Sequence, residues 1–308
     1  MERFFTKKIN ILIVSLIAMA LWGSAFPVLK VSYEKLAIEG PDIYSKIYFA
    51  GLRFFMASIL VFLAAKLIFK MNINIKKDHI KSFIILGLLQ TTLQYFFFYI
   101  GVANTTGIKS AIIQASGTFF TVILAHFIYN NDKLNIQKVL SLILGFGGIL
   151  IVNIGKDFDL SFKLIGEGFL LFSALVSTFA TIYVKNVSQD IEPVFLTGGQ
   201  MFFGSLPLLI VGKVGMGGSK LTFDKVSFTL LLYSAFLSAT AFLLWYMILK
   251  YNKPGEVSIY RLFIPIFGAT LSAIFIKGEH FTFNLVIGLI LVVLGILVLN
   301  LNRKQEFE

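Results

Sequence analysis

The chain has no cysteine among its 308 residues, which removes disulfide frameworks, thiolate metal sites and cysteine nucleophiles together. Charge is also scarce. Only 14% of the residues are Asp, Glu, Lys or Arg, against about 25% in a soluble domain, too few to cover a water-facing surface of this size. Acid is scarcer than base, with 16 Asp and Glu against 27 Lys and Arg. The three histidines, His79, His126 and His280, fall in separate segments without metal-ligand spacing. Neither a His-Glu-x-x-His nor a Gly-x-Ser-x-Gly pattern occurs. No metal or cofactor is expected, and an enzyme, even one inside a membrane, is a distant reading. A channel would need a selectivity ring or filter, and no such pattern is present.

What the chain has instead is apolar length. Hydrophobic residues make up 57%, and there are 34 phenylalanines. A helix needs about 20 apolar residues to cross hydrocarbon. Ten such stretches can be marked: 9–29, 43–65, 82–102, 109–129, 139–155, 164–184, 194–212, 226–249, 255–276 and 283–301. The linkers are short, the longest being 66–81, so no soluble domain fits between the spans. The basic opening followed by an apolar run resembles a signal peptide, but the run continues past Trp22 to Leu29 and reads as an uncleaved first span. A net charge of +11 would suggest nucleic-acid binding in a soluble domain. Here the basic residues lie between apolar runs, where they match an anionic leaflet. The expected partners are a lipid bilayer and a small molecule, with no nucleic acid. Lys66, Lys70, Lys76, Lys77 and Lys81 make 66–81 the most basic linker. That places it, and with it both termini, on the cytoplasmic side of the cell membrane.

The six prolines sort into two groups. Pro41, Pro193 and Pro254 fall at the starts of spans two, seven and nine, where a missing N–H is harmless. Pro27, Pro207 and Pro265 fall inside spans one, seven and nine. Each frees the carbonyl four residues earlier, at Gly23, Phe203 and Arg261, and is expected to kink its helix. Such breaks are tolerated where they line protein or water, which points to a cavity.

Residues 107–153 also align without gaps on 254–300. The clearest stretch sets VLSLILGFGGILIVN (139–153) against VIGLILVVLGILVLN (286–300), and the same offset pairs Tyr99 with Tyr246. A duplication would give each half five spans. An odd number forces the halves into opposite orientations, with binding sites near the midplane between them.

Four features stand in a particular order: Trp22-Gly23-Ser24-Ala25-Phe26 late in span one, Arg53 within GLRFFMA, Pro265 in span nine, and Gly278-Glu279 just after it. Together they resemble the EamA family of the drug/metabolite transporter superfamily over essentially the whole chain. The resemblance implies a ten-helix inverted-repeat carrier, often an exporter of amino acids or other metabolites. Two positions depart from the pattern. Thr118 stands where the repeat partner of Pro265 favours proline, and Asn131-Asp132 stands where a second Gly-Glu pair is expected. The first-half copy of the motif is degraded, which puts symmetric gating in question.

Few polar side chains lie inside the spans. Arg53 sits near the middle of span two, where a charge costs about 2.5–3.5 kcal/mol on insertion scales. The family pattern includes it regardless of substrate, so a gating or structural role is favoured over anion binding. Arg261 sits six residues into span nine, on the turn loosened by Pro265. Its planar fork suits a carboxylate or phosphate, although an arginine so near a span's start also suits snorkelling to the headgroups. Its repeat partner is Gln114. Gln90 and Gln94 share one face of span three and read as pocket lining. Trp22 and Tyr260 offer ring faces, whereas Tyr99 and Tyr246 read as interfacial belt residues. Small polar ridges on spans six and eight, Ser173–Ser177–Thr181 and Ser234–Ser238, read as close helix packing. Glu256, in the first turn of span nine, complements the helix dipole. No Asp or Glu has a clear midplane position.

The expected fold is thus an all-α integral membrane protein. Its ten transmembrane helices form two five-helix inverted repeats, 1–155 and 156–308, around a central cavity. Spans five and ten are peripheral, and their glycines allow close packing or a homodimer. The expected activity is secondary transport of small carboxylate-bearing metabolites such as amino acids, outward, by alternating access. Arg261, Gln94, Gln114, Gln90, Trp22 and Tyr260 are the substrate candidates. Arg53, Pro265, Pro27 and Glu256 are the gating or structural ones. The alternatives are an exchanger of phosphorylated or nucleotide-linked metabolites and an exporter of cationic drugs.

Overall fold

The computed structural model describes residues 2–72, 76–105, 107–152, 162–276 and 280–300. Helices and their connections account for these residues, with no strand among them. The short α1 (Glu2–Thr6) leads into α2 (Lys8–Lys35), followed by α3 (Ile43–Leu67). Span three is composite: α4 (Lys77–Leu86), a π-helical stretch Gly87–Leu93, then α5 (Gln94–Ala103). Next come α6 (Gly107–Ile128), α7 (Ile136–Val152), a π-turn Leu164–Gly168 leading into α8 (Phe169–Val187), α9 (Pro193–Gly215) and α10 (Lys225–Tyr251). Span nine is also composite, with α11 (Pro254–Val257), a 3-10 stretch Ser258–Leu262 and α12 (Phe263–Phe275); α13 (Phe283–Asn300) closes the order. Among the described residues, eight helical segments are long and apolar enough to cross a membrane, and α6 and α7 supply two shorter apolar helices, Ile113–Ile128 and Ile136–Ile151.

Local chemistry sets the helix starts. The Asp42 side chain accepts from Ser45 N at 3.0 Å to open α3. At α10 the cap is reciprocal: Ser227 N donates to Asp224 Oδ1 at 2.7 Å, and Asp224 N donates to Ser227 Oγ at 2.9 Å. The Ser227 bonds hold the Asp224 carboxyl below the usual carboxylate range. A lowered carboxyl stabilises the fold above its unfolded pKa and loses that contribution as pH falls through the folded value. Pro193 and Pro254 occupy first-turn positions of α9 and α11.

The internal prolines behave differently from one another. α2 continues as helix through Pro27 and α9 through Pro207. At Pro265 the residues ahead of it tighten into the 3-10 stretch that carries Arg261.

Apolar side chains face outward as well as inward. Ile9, Ile13 and Ile17, four apart on α2, are each about half exposed, while Ile11, Val14 and Ala18 are buried. In water such a stripe would mark an interface, but on a spanning helix it is the lipid face. Inside, α3 runs along α9 and α7 along α13. α2 packs on α10 and α12, while α8 packs on α6 and on span three; α10 also meets α3, and span three also meets α9.

Small residues permit the closest approaches. A Cβ built on Gly87 would lie 2.7 Å from both Gln200 O and Gly204 N, so the π-helical stretch touches α9 backbone to backbone. On α7, Gly148 abuts the Gly288 carbonyl of α13, and Ser141 donates to the Gly295 carbonyl at 2.7 Å. The peripheral glycines therefore serve packing within the chain, and Gly147 faces open space.

Gly204→Val is expected to overpack the span three–α9 contact at a cost of about 1–3 kcal/mol, read as a lowered Tm of the detergent-purified protein. Gly147→Ala, where an added Cβ meets nothing, should leave Tm unchanged or slightly raised.

Candidate functional site

Aromatic rings form the frame of the interior. Trp22 on α2 meets Trp245 and Phe242 of α10 edge-on at 6.0 and 5.1 Å, and Phe242 meets Phe54 of α3 at 6.3 Å. Phe54 contacts Tyr95 of α5 at 4.7 Å, and Tyr95 continues to Tyr99 at 6.1 Å. This chain of rings joins elements from both ends of the sequence. Tyr99 and Tyr246 belong to it: Tyr246 stacks edge-on with Phe242 and is 0% exposed, and Tyr99 is 5% exposed. The interfacial-belt reading of these two tyrosines is thereby corrected.

Two arginines flank the rings. Arg53, 2% exposed, lies over the faces of Phe54 and Tyr95 at 4.7 and 5.7 Å. Its Nε donates to Ser238 Oγ at 2.7 Å, and Ser238 in turn donates to the Ser234 carbonyl. The half-buried Arg261 also lies within electrostatic reach of Tyr95. Its Nη2 donates to Ser177 Oγ at 3.2 Å, whereas its Nη1 is buried with no partner among the described residues. The indole Nε1 of Trp22 is likewise buried and unpartnered. Both groups donate and cannot accept, so a bound acceptor is what would satisfy them.

The glutamines gather on the same wall. Ser173 of α8 donates to the Gln94 carbonyl at 2.9 Å, and Gln114 Nε2 donates to Ser173 Oγ at 3.4 Å. Gln90 donates to Gln94 Oε1 from within the π-helical stretch. One turn of α8, Ser173 to Ser177, thus holds Gln94, Gln114 and Arg261 together. The ridge read as close packing is a row of hydrogen-bonding posts. On α10, Ser238 alone does the same for Arg53, while the Ser234 hydroxyl is unpartnered among the described residues. Spacing revealed the ridges, but what they face depends on cross-chain contacts that no period encodes. Gln200, 0% exposed, was missed altogether: its Oε1 accepts from Thr91 at 2.6 Å and its Nε2 is unpartnered.

Other candidates lie elsewhere. Tyr260 is 1% exposed and accepts from Asn300 of α13 at 3.2 Å. Glu256 pairs with Lys253 at 3.5 Å on the face that carries α1. Pro27 is buried within α2 and Pro265 half-buried in α12, the latter just after the Arg261 stretch. Gly278-Glu279 lies outside the described residues.

The family's sequence profile matches twice, over residues 9–154 and 164–301. The chain belongs to the EamA-like transporter family. Among curated proteins it is 28% identical to the uncharacterized transporter YvbV of Bacillus subtilis, over 93% of this chain and 90% of that protein. It is 24% identical to YoaV of the same organism, over 90% and 91% respectively. It is also 24% identical to the chloroplastic WAT1-related protein At3g02690 of Arabidopsis thaliana, over 92% of this chain and 68% of that protein. A solved crystal structure at 13% identity superposes with a TM-score of 0.76, over 96% of this chain and 98% of the other, and so shares the fold. For an EamA-like protein, a buried polar interior walled by rings and two arginines is the natural place to look for cargo.

The two serine posts are expected to separate by variant. Ser238→Ala leaves the fully buried Arg53 Nε unpartnered, an expected loss of about 1–3 kcal/mol seen as a lower Tm. Ser177→Ala removes the partner of Arg261 Nη2, so transport KM should rise and Tm should also fall by a similar amount.

Proposed function

We propose that the protein is a secondary carrier of small carboxylate-bearing metabolites, amino acids among them. It moves them outward across the cell membrane by alternating access, with both termini cytoplasmic. The observation that carries this reading is that two buried donors, Arg261 Nη1 and Trp22 Nε1, have no partner among the described residues, and Trp22 itself meets the rings of Phe242 and Trp245. A carboxylate supplies acceptors in the geometry a guanidinium prefers, and the rings accommodate the apolar remainder. Gln94 and Gln114, posted on the same turn of α8, complete the polar contacts. Arg53 already has Ser238 and two ring faces, so it holds the cavity wall.

In this reading α6 and α7 also cross, and 1–155 and 156–308 are inverted five-helix repeats. The packing pattern supports the exchange of halves. Spans two and seven pair with each other, as do five and ten; one on eight mirrors six on three, and one on nine mirrors six on four. The double match of the family profile, once per half, supports it as well.

A phosphorylated cargo would call for more cations than the two arginines found deep in the spans. The test is Tm of the purified protein against amino acids, phosphorylated metabolites and organic cations. Carboxylates should raise Tm, and Arg261→Gln should abolish that rise. A rise with phosphorylated compounds alone, or with cations alone, would overturn the assignment.

A further inference from the structure

Asp132, in the connection between α6 and α7, is 1% exposed, as is Lys138 at the start of α7. Asp132 Oδ1 accepts from Lys138 Nζ at 2.5 Å, and Oδ2 accepts from the backbone N–H of Gly255 at 2.6 Å. The second bond joins residues 123 positions apart, crossing from the first half of the chain to the first turn of span nine. No side chain local to α11 caps it, so Asp132 supplies the missing acceptor. Glycine is what lets the carboxylate come so near, since a Cβ on residue 255 would lie 2.9 Å from Oδ1. Lys138 is fixed in turn by the Lys133 carbonyl at 2.8 Å.

From Gly255 the chain runs without a break through α11 into the 3-10 stretch, so Arg261 is only six residues along one helical rod. The same face carries two more links between halves: Asn252 Nδ2 to the Phe5 carbonyl at 2.9 Å, and Tyr129 OH to Asn186 Oδ1 at 2.8 Å. A buried ion pair suits a contact that must open. Its attraction is largely offset by lost hydration, so separating the charges into entering water restores that hydration. An apolar plug would recover nothing on wetting.

We propose that Asp132 is a positioning residue for transport. By latching Gly255 it holds span nine, and Arg261 with it, against the first half and closes the face that carries the N-terminus. Releasing this bond opens the interior to that face. The inference rests on the alternating-access reading but on no particular substrate.

The cysteine-free chain allows single thiols to be placed cleanly. Ser258, 0% exposed and just beyond the latch, and Gln94 in the interior are each changed to Cys in separate proteins. Each is then alkylated in sided membrane vesicles with a charged, impermeant maleimide. With Asp132 intact, Ser258→Cys should react slowly from the N-terminal face and Gln94→Cys readily from the opposite face. Adding Asp132→Ala should speed the first by roughly tenfold and slow the second, the reciprocal change a shift between two states requires. Asp132→Asn, which keeps an acceptor without charge, should fall between, and Asp132→Glu should restore the original pattern. If both thiols speed up together, or neither changes, Asp132 has only a structural role and the proposal is overturned. Lys138→Gln gives the same readout should Asp132→Ala fail to fold. Carboxylate stabilisation of the unmodified protein is independent of this result, so failure of the latch and failure of the cargo assignment are distinguishable.

Discussion

A guanidinium placed in hydrocarbon must find its partners within the protein, and two such groups organise this interior. Arg53 and Arg261 stand on spans two and nine, and each is met by a serine from a different helix, Ser238 on α10 and Ser177 on α8. Those helices must present small polar faces inward, which brings them close and fixes where span three, α2 and α3 can lie. The rings between the arginines fill the volume, and their faces carry the negative potential a cation favours. The difference between the two sites is one of completion. Arg53 has Ser238 on its Nε and two ring faces over its plane, whereas Arg261 Nη1 keeps a donor in reserve.

Much of the architecture was legible in the sequence because hydrocarbon thickness imposes a length that composition cannot hide. The apolar runs fall on the observed helices, and the prolines at 193 and 254 mark real helix starts. The site was legible only in part. Arg53, Arg261 and the glutamines stood out because polar side chains are costly inside a span. What each one bonds to was hidden, since Ser177 and Ser238 look like any small residue on a packed helix. The π-helical stretch of span three carries Gly87, which meets Gly204 of α9, a contact between distant segments that leaves no local mark. The prolines show the same limit from the other side. Pro27 and Pro265 carry the same covalent constraint, yet only the second accompanies a change of helix type.

Asp132 shows how a motif can lose its letters and keep its chemistry. Read against the family pattern, Asn131-Asp132 looked like a decayed copy of a Gly-Glu pair. In the fold its carboxylate is fully buried and caps a helix from the other half. What matters at that place is an acceptor of the right reach, and aspartate provides one where the connection from α6 is short. Decay of the residue pattern is therefore weak evidence against a working contact.

These observations bear on how a carrier with no midplane carboxylate can move. The strong contacts at the centre are cation to hydroxyl and cation to ring, and neither needs a proton to form or break. Among the described residues the acidic groups with inter-segment bonds lie toward the ends: Asp132 and Glu192, which accepts from Lys250 at 3.2 Å, at the N-terminal face, and Glu167, which accepts from Thr105 at 2.5 Å, at the start of span six. On the proposed alternating-access reading, charge that changes its surroundings would belong to the ends, while the centre would keep a constant positive field for a cargo. Because span nine carries both the latch point at Gly255 and the donor at Arg261, cargo binding and gate opening would on this reading be coupled through one helix.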